Sequence, residues 1–153
     1  MSHTGSKSVH VTAEFTECPY PIYRGWVTTE PILIDKTSTY IVSAWVMIPD
    51  TIDASSAWYA SVGVNYFDAS GSILGGHFLG FGPGAPGGPD VPPGVWTRVS
   101  MAIGPAVRPP DTAYVQVELD SPFLSPCELD GSPTTWFDDV YFGLAPPEPH
   151  FVM

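Results

Sequence analysis

The stretch WYASVGVNYFDASGSILGGHFLGF, residues 58–81, decides the fold. Its opening residues alternate. Trp58, Ala60, Val62, Val64 and Tyr66 fall on one side of an extended chain, and Tyr59, Ser61, Gly63, Asn65 and Phe67 on the other. Asp68-Ala69-Ser70-Gly71 then supplies a turn in which Gly71 takes positive φ without steric cost. A second extended run, 73–81, follows. Two such runs around a tight turn form an antiparallel hairpin. Outward from this hairpin the same grammar recurs, with strands expected near residues 8–16, 25–34, 39–48, 95–103, 112–119 and 134–142. Proline interrupts most windows long enough for a helix. The expected fold is all-β: a two-sheet antiparallel β-sandwich of jelly-roll type.

Alternation also assigns faces. In 112–119, Ala113, Val115, Val117 and Leu119 face the core, while Tyr114, Gln116 and Glu118 face out. In 95–103, Val99, Met101 and Ile103 go in, opposite Trp96, Arg98 and Ser100. The run 39–48 is apolar on both sides; Tyr40, Val42, Ala44 and Val46 suit the core, which turns Trp45 outward unless a bulge reverses it. The outward set is thus Trp45, Tyr59, Asn65, Arg98, Tyr114, Gln116 and Glu118. Flat rings cover the apolar face of a pyranose, and planar polar groups make paired hydrogen bonds to its hydroxyls. The same mixture, rich in aromatics and arginine, suits a protein interface.

Composition excludes several partners. Charged residues are 14% of the 153, with five Lys plus Arg against sixteen Asp plus Glu, for a net charge of −11. No cationic surface exists to displace phosphate counterions, so nucleic acid is excluded, and an anionic membrane surface with it. No apolar run reaches the ~18 residues of a spanning helix, and no signal peptide is visible at the N-terminus, so no membrane insertion is expected. Hydrophobic residues at 44% and aromatics at 13% argue against disorder despite fifteen Gly and eighteen Pro. The chain divides into a sandwich domain, 1–143, and a Pro-rich C-terminal arm, 144–153, that ends in Phe151-Val152-Met153. Residues 82–94 (GPGAPGGPDVPPG) read as a surface loop or a cleft rim.

Five fragments carry a resemblance. His3-Thr4-Gly5-Ser6-Lys7-Ser8-Val9-His10-Val11, Thr39-Tyr40-Ile41-Val42-Ser43-Ala44-Trp45-Val46, Val64-Asn65-Tyr66-Phe67-Asp68-Ala69-Ser70-Gly71, Gly94-Val95-Trp96-Thr97-Arg98-Val99-Ser100 and Phe137-Asp138-Asp139-Val140 resemble, in order and spacing, strands of carbohydrate-binding modules of the xylanase and cellulase type. These are jelly rolls related to galactose-binding-like domains, and the same module recurs in adhesins and phage appendages. The resemblance implies glycan binding. It also implies a structural calcium held by Asp138 or Asp139 with backbone oxygens around Thr4 to Lys7, although the glutamate that completes the set belongs to a first strand that this sequence lacks. That missing strand leaves an edge or groove to be covered by the C-terminal arm or a neighbouring chain, unless the chain is a fragment. In the implied jelly roll, strand 8–16 pairs with strand 134–142, which brings Cys18 and Cys127 to one end for a disulfide; two separate buried thiols are the alternative. A bridge implies an oxidising setting, an extracellular or virion surface.

Catalytic motifs are absent: no Gly-x-Ser-x-Gly, no His-Glu-x-x-His and no phosphate loop of a recognised kind. Glu30 and Glu118, both expected on strands, are the pair that glycoside hydrolysis would require, but nothing marks them as paired. His3, His10, His77 and His150 show no metal-ligand spacing, and no cofactor is expected beyond the calcium. Two readings remain. One is a non-catalytic glycan-binding accessory protein, a decoration or tail/adhesion module on an extracellular or virion surface. The other is a purely structural assembly protein that meets protein partners or its own copies through the open edge and the arm. A glycan-active enzyme is a third, lesser alternative.

Overall fold

Alternating apolar residues need two sheets to enclose them, and that is the arrangement found. The computed structural model describes residues 2–12, 26–50, 59–85, 87–123 and 134–146, with backbone alone at Trp26, Tyr59 and 121–123. Among the described residues the strands are β1 (Val9–Thr12), β2 (Trp26–Thr28), β3 (Ile32–Leu33), β4 (Tyr40–Met47), β5 (Tyr59–Phe67), β6 (Ile73–Phe81), β7 (Thr97–Ile103), β8 (Tyr114–Phe123) and β9 (Thr134–Leu144). One sheet runs β1-β9-β4-β7. The other runs β2-β8-β5-β6, with β3 also on β8. Every ladder is antiparallel. None of the described residues forms a helix long and apolar enough to cross a membrane.

The core lies between the sheets. Val42, Val46, Val62, Val64, Val115, Phe81 and Phe137 are sealed from solvent, and Ala44, Val99 and Val117 nearly so. Met101 packs against this cluster from its margin. Of the inward sets expected for these strands, Tyr40, Val42, Ala44 and Val46, Ala60, Val62, Val64 and Tyr66, Val99 and Ile103, and Val115, Val117 and Leu119 are buried, Met101 and Ala113 are half-buried, and Trp58 lies outside the described residues. Each buried Val stabilises by ~1.5–3 kcal/mol relative to leaving it exposed. At one end Arg108 plugs the sandwich. It is buried, donates to the carbonyls of Ile103 (3.4 Å) and Asp35 (3.0 Å), and sits over the Tyr40 ring at 5.7 Å.

Three local details depart from simple alternation. The expected strand 25–34 is split into β2 and β3. Pro31, just before β3, lacks the N–H that a continuous ladder on β8 would use. Glu30 consequently lies off the strands, between the two. On β9, Ser43 faces Tyr141 but Trp45 faces Asp138, so β9 carries an extra residue. Asp139, at φ 47°, takes the left-handed conformation there. The bulge reverses the parity of β9: Thr135 and Phe137 point inward before it, and Phe142 after it, stacked on Tyr40 at 5.1 Å. Finally, β9 runs through Leu144, and the Ala145 N–H donates to the Thr39 carbonyl at 2.9 Å. The first residues assigned to the C-terminal arm therefore belong to the sandwich; 147–153 lie outside the described residues, as do Cys18 and Cys127.

The hairpin turn is as expected. Gly71 has φ 84° and donates to the Asp68 carbonyl, while the Asp68 carboxylate accepts from the N–H groups of Ser70 and Ser72. A first test addresses the core. Phe137→Ala should lower unfolding free energy by about 3–5 kcal/mol, read from urea denaturation, whereas Leu33→Ala, at a position 71% exposed, should change little.

Candidate functional site

The residues singled out as outward-facing divide between two opposite faces. Trp45 and Arg98 are a directly paired couple on the β1-β9-β4-β7 sheet. Asn65, Tyr114, Gln116 and Glu118 share the outer face of the other sheet, where Asn65 pairs with Gln116 and Phe67 with Tyr114. Tyr59 is on β5 in register with Phe123. The single outward set read from the sequence is therefore two sets, because alternation gives a side of a sheet but not which sheet.

On the β5–β6–β8 face, polar groups and one ring interlock. Asn65 donates through Nδ2 to Glu118 Oε2 at 2.5 Å, diagonally across the β5–β8 ladder. One step along, buried Ser61 donates to buried Asp120 at 2.6 Å. Beside them lies Phe78 on β6, a residue the sequence reading passed over. A Cβ on Gly63 would sit 2.5 Å from Phe78 Cδ1, and one on Gly76 2.5 Å from Phe78 Cε2. The ring thus crosses the two glycines at the level of the sheet, in space that any side chain there would occupy. Phe78 remains 38% exposed, so it is covered from below and open above. At the far end of the face, Phe67 and Tyr114 join Pro31 and the turn residues Ala69, Ser70 and Gly71 around an open groove of about 440 Å³. Small-ligand sites typically span ~300–1,000 Å³. The signal that could have found Phe78 is the set of strand-interior glycines at 63, 75 and 76, which mark a close approach.

The opposite face is occupied by the chain's own N-terminal segment. The His3 ring stacks on Trp45 at 3.8 Å, with the planes 16° apart, and meets Trp96 edge-on at 5.9 Å. Two aspartates hold this segment. Asp138 Oδ2 accepts the N–H groups of His3 (2.8 Å) and Thr4 (3.0 Å), and Oδ1 accepts that of Asp139 (2.8 Å). Asp139 takes the Thr4 hydroxyl at 2.7 Å and lies 3.2 Å from His3 Nδ1. His3, which the sequence marks only by its lack of metal-ligand spacing, is thus the ring that covers Trp45.

This clasp does not fit the calcium that the resemblance implies. Three N–H donors converge on the Asp138 carboxylate, and hydrogens aimed at the oxygens repel a cation; calcium wants six to eight oxygens. Among the described residues no group of three or more His, Cys, Asp or Glu side chains is placed to hold a metal ion. The backbone N–H of Thr4, joined by those of Asp139 and His3, holds the Asp138 carboxyl below the ordinary aspartate range.

The architecture is that of a two-sheet antiparallel β-sandwich. No family model and no curated protein matches the chain. Among solved structures, the chain is similar to one titled "Family 16 Carbohydrate Binding Module-2", at 14% identity and TM-score 0.52, over 92% of this chain and 79% of that one. Another, titled "CBM4 structure and function", aligns at 13% identity and TM-score 0.44, over 80% of this chain and 61% of that one. The first likeness establishes the fold: a β-sandwich of the carbohydrate-binding-module kind.

The clasp has a defined pH dependence. Its aspartate pKa is depressed on folding, so its stabilisation is present above the unfolded aspartate value and is lost as pH falls through the lowered one. Asp138→Asn should lower the urea midpoint at neutral pH and flatten its decline through the carboxylate range. Some decline should persist. Asp68, held down chiefly by the Ser70 hydroxyl, and Asp35, held down chiefly by that of Thr37, titrate in the same sense.

Proposed function

We propose that the chain is a non-catalytic glycan-binding module that seats a neutral sugar on the outer face of the β5–β6–β8 sheet. The observation that carries the reading is the Phe78 ring lying across Gly63 and Gly76 beside the Asn65–Glu118 pair. A ring held at sheet level offers its open face to the C–H side of a pyranose. Asn65, Gln116 and Glu118 stand alongside it to bond the hydroxyls. The groove at Phe67 and Tyr114 extends the surface toward a further sugar unit. Glu118 and Asp120 on this face, with a net charge of −11, disfavour uronic, sialylated or sulfated glycans. These two carboxylates project from one strand and accept hydrogen bonds from Asn65 and Ser61, which supports binding over hydrolysis. The setting we propose is an accessory role, decoration or adhesion, on an extracellular or virion surface.

Affinity electrophoresis in gels containing neutral or anionic polysaccharides tests this. The wild type should be retarded by a neutral polymer and not by pectate or a sulfated one. Phe78→Ala, and Tyr114→Ala with Gln116→Ala, should each weaken retention by about tenfold or more, the loss expected for ~1.4 kcal/mol. A wild type that no polysaccharide retards would leave the purely structural reading, which is supported by the scarcity of charge along β6 and the loop after it.

A further inference from the structure

Strand β6 is an edge. Among the described residues its one strand neighbour is β5. It is nine residues long and reads ILGGHFLGF, without Lys, Arg, Asp, Glu or Pro. Natural sheets blunt such edges with charge, proline, brevity or bulges, because a bare ladder recruits another strand. Two devices act on β6, the register shift near Gly75, where φ is 136°, and the loop that stands beside Gly80, and they leave the stretch between them bare. The charge pattern agrees. Between Asp68 and Arg98 the sole Asp, Glu, Lys or Arg is Asp90, in a chain of net charge −11. Two such chains repel at most orientations. This flank is where they approach at least cost.

We propose that two copies of the chain join edge to edge through β6, antiparallel and two-fold about His77. The sequence is self-complementary in that register. Phe78 stands opposite Gly76 of the partner subunit, and by symmetry the partner subunit's Phe78 stands opposite Gly76. Each Phe78 ring lies over Gly63 and Gly76 of its own chain, so the glycine opposite it across the axis adds no second side chain to the shared ladder. Leu79 faces Gly75 of the partner subunit, again large against small. An isologous contact needs this kind of self-matching patch. The loop after β6 sets the limit of the pairing: a Cβ on Gly88 would overlap the carbonyl oxygen of Gly80, so the loop stands beside the strand there and the shared ladder runs over 75–79. The result is one continuous sheet through both copies, with both Phe78 rings on the same outer face. This inference does not depend on glycan binding.

Sedimentation across the micromolar range is the test, with His77→Glu as the main variant. The wild type should pass reversibly from monomer to dimer. His77→Glu opposes two like charges at the axis and should raise the dimer dissociation constant by about tenfold or more. Ser100→Glu, on the edge strand β7 of the other sheet, should leave it unchanged. Because directly opposed antiparallel residues have Cα atoms ~4.5–5.5 Å apart, within disulfide range, His77→Cys should form an interchain bridge under mild oxidation, beyond any seen with the wild type. A wild type that stays monomeric, a His77→Glu variant that dimerises as well as the wild type, or a His77→Cys variant that yields no bridge overturns the proposal.

Discussion

The register between β5 and β8 is the constraint on which the rest depends. With Val64 opposite Val117 and Val62 opposite Leu119, four apolar side chains face the second sheet. On the reverse side the same register brings Asn65 to Glu118 and Ser61 to Asp120. A slip of β8 by one residue would reverse its faces, placing Glu118 and Asp120 in the core and Val117 and Leu119 in water. The polar pairs also resist slippage on their own account, since Ser61 and Asp120 are buried and a buried polar group without its partner costs ~1–3 kcal/mol. Core and outer face are thus two consequences of a single alignment.

The two outer faces have been put to different uses. On the β4 side, the bulge at Asp139 turns two adjacent aspartates toward the sheet end, where they take the N–H groups of His3 and Thr4, and His3 covers Trp45. An exposed tryptophan ring is thereby converted into the anchor of the chain's own segment. On the β5 side, glycine replaces side chains at 63 and 76, and the ring of Phe78 fills the space. There the aromatic surface stays open, flanked by an amide and a carboxylate. The same chemistry, rings beside planar polar groups, closes one face and leaves the other available.

Much of this was legible from residue order, and the limits have physical causes. The turn at 68–71 and the inward sets Val42/Ala44, Val62/Val64 and Val115/Val117 follow from local rules, so reading them needed no knowledge of strand order. The pairing of β1 with β9 came from the resemblance. Trp45 and Tyr114 looked alike because alternation is blind to which sheet a strand joins, and that choice is made by pairings dozens of residues apart. Pro31 was visible, but its effect depended on facing β8, where a ladder bond was required of it. The resemblance implies a calcium at Asp138 or Asp139; the left-handed conformation of Asp139, beside which the two carboxylates clasp the N-terminal segment, is not written in the side chains alone. Phe78 went unread because the strand 73–81 carries glycines where faces would otherwise be marked.

The most direct test of the binding face is an amide NMR titration of the isotopically labelled protein with a soluble neutral oligosaccharide. The predicted result is a saturable set of shifts centred on Gly63, Asn65, Gly76, Phe78, Gln116 and Glu118, with Thr4, Trp45, Trp96 and Arg98 unmoved. Shifts centred instead on Trp45, Trp96 and Arg98, or no shifts with any neutral oligosaccharide, would contradict it.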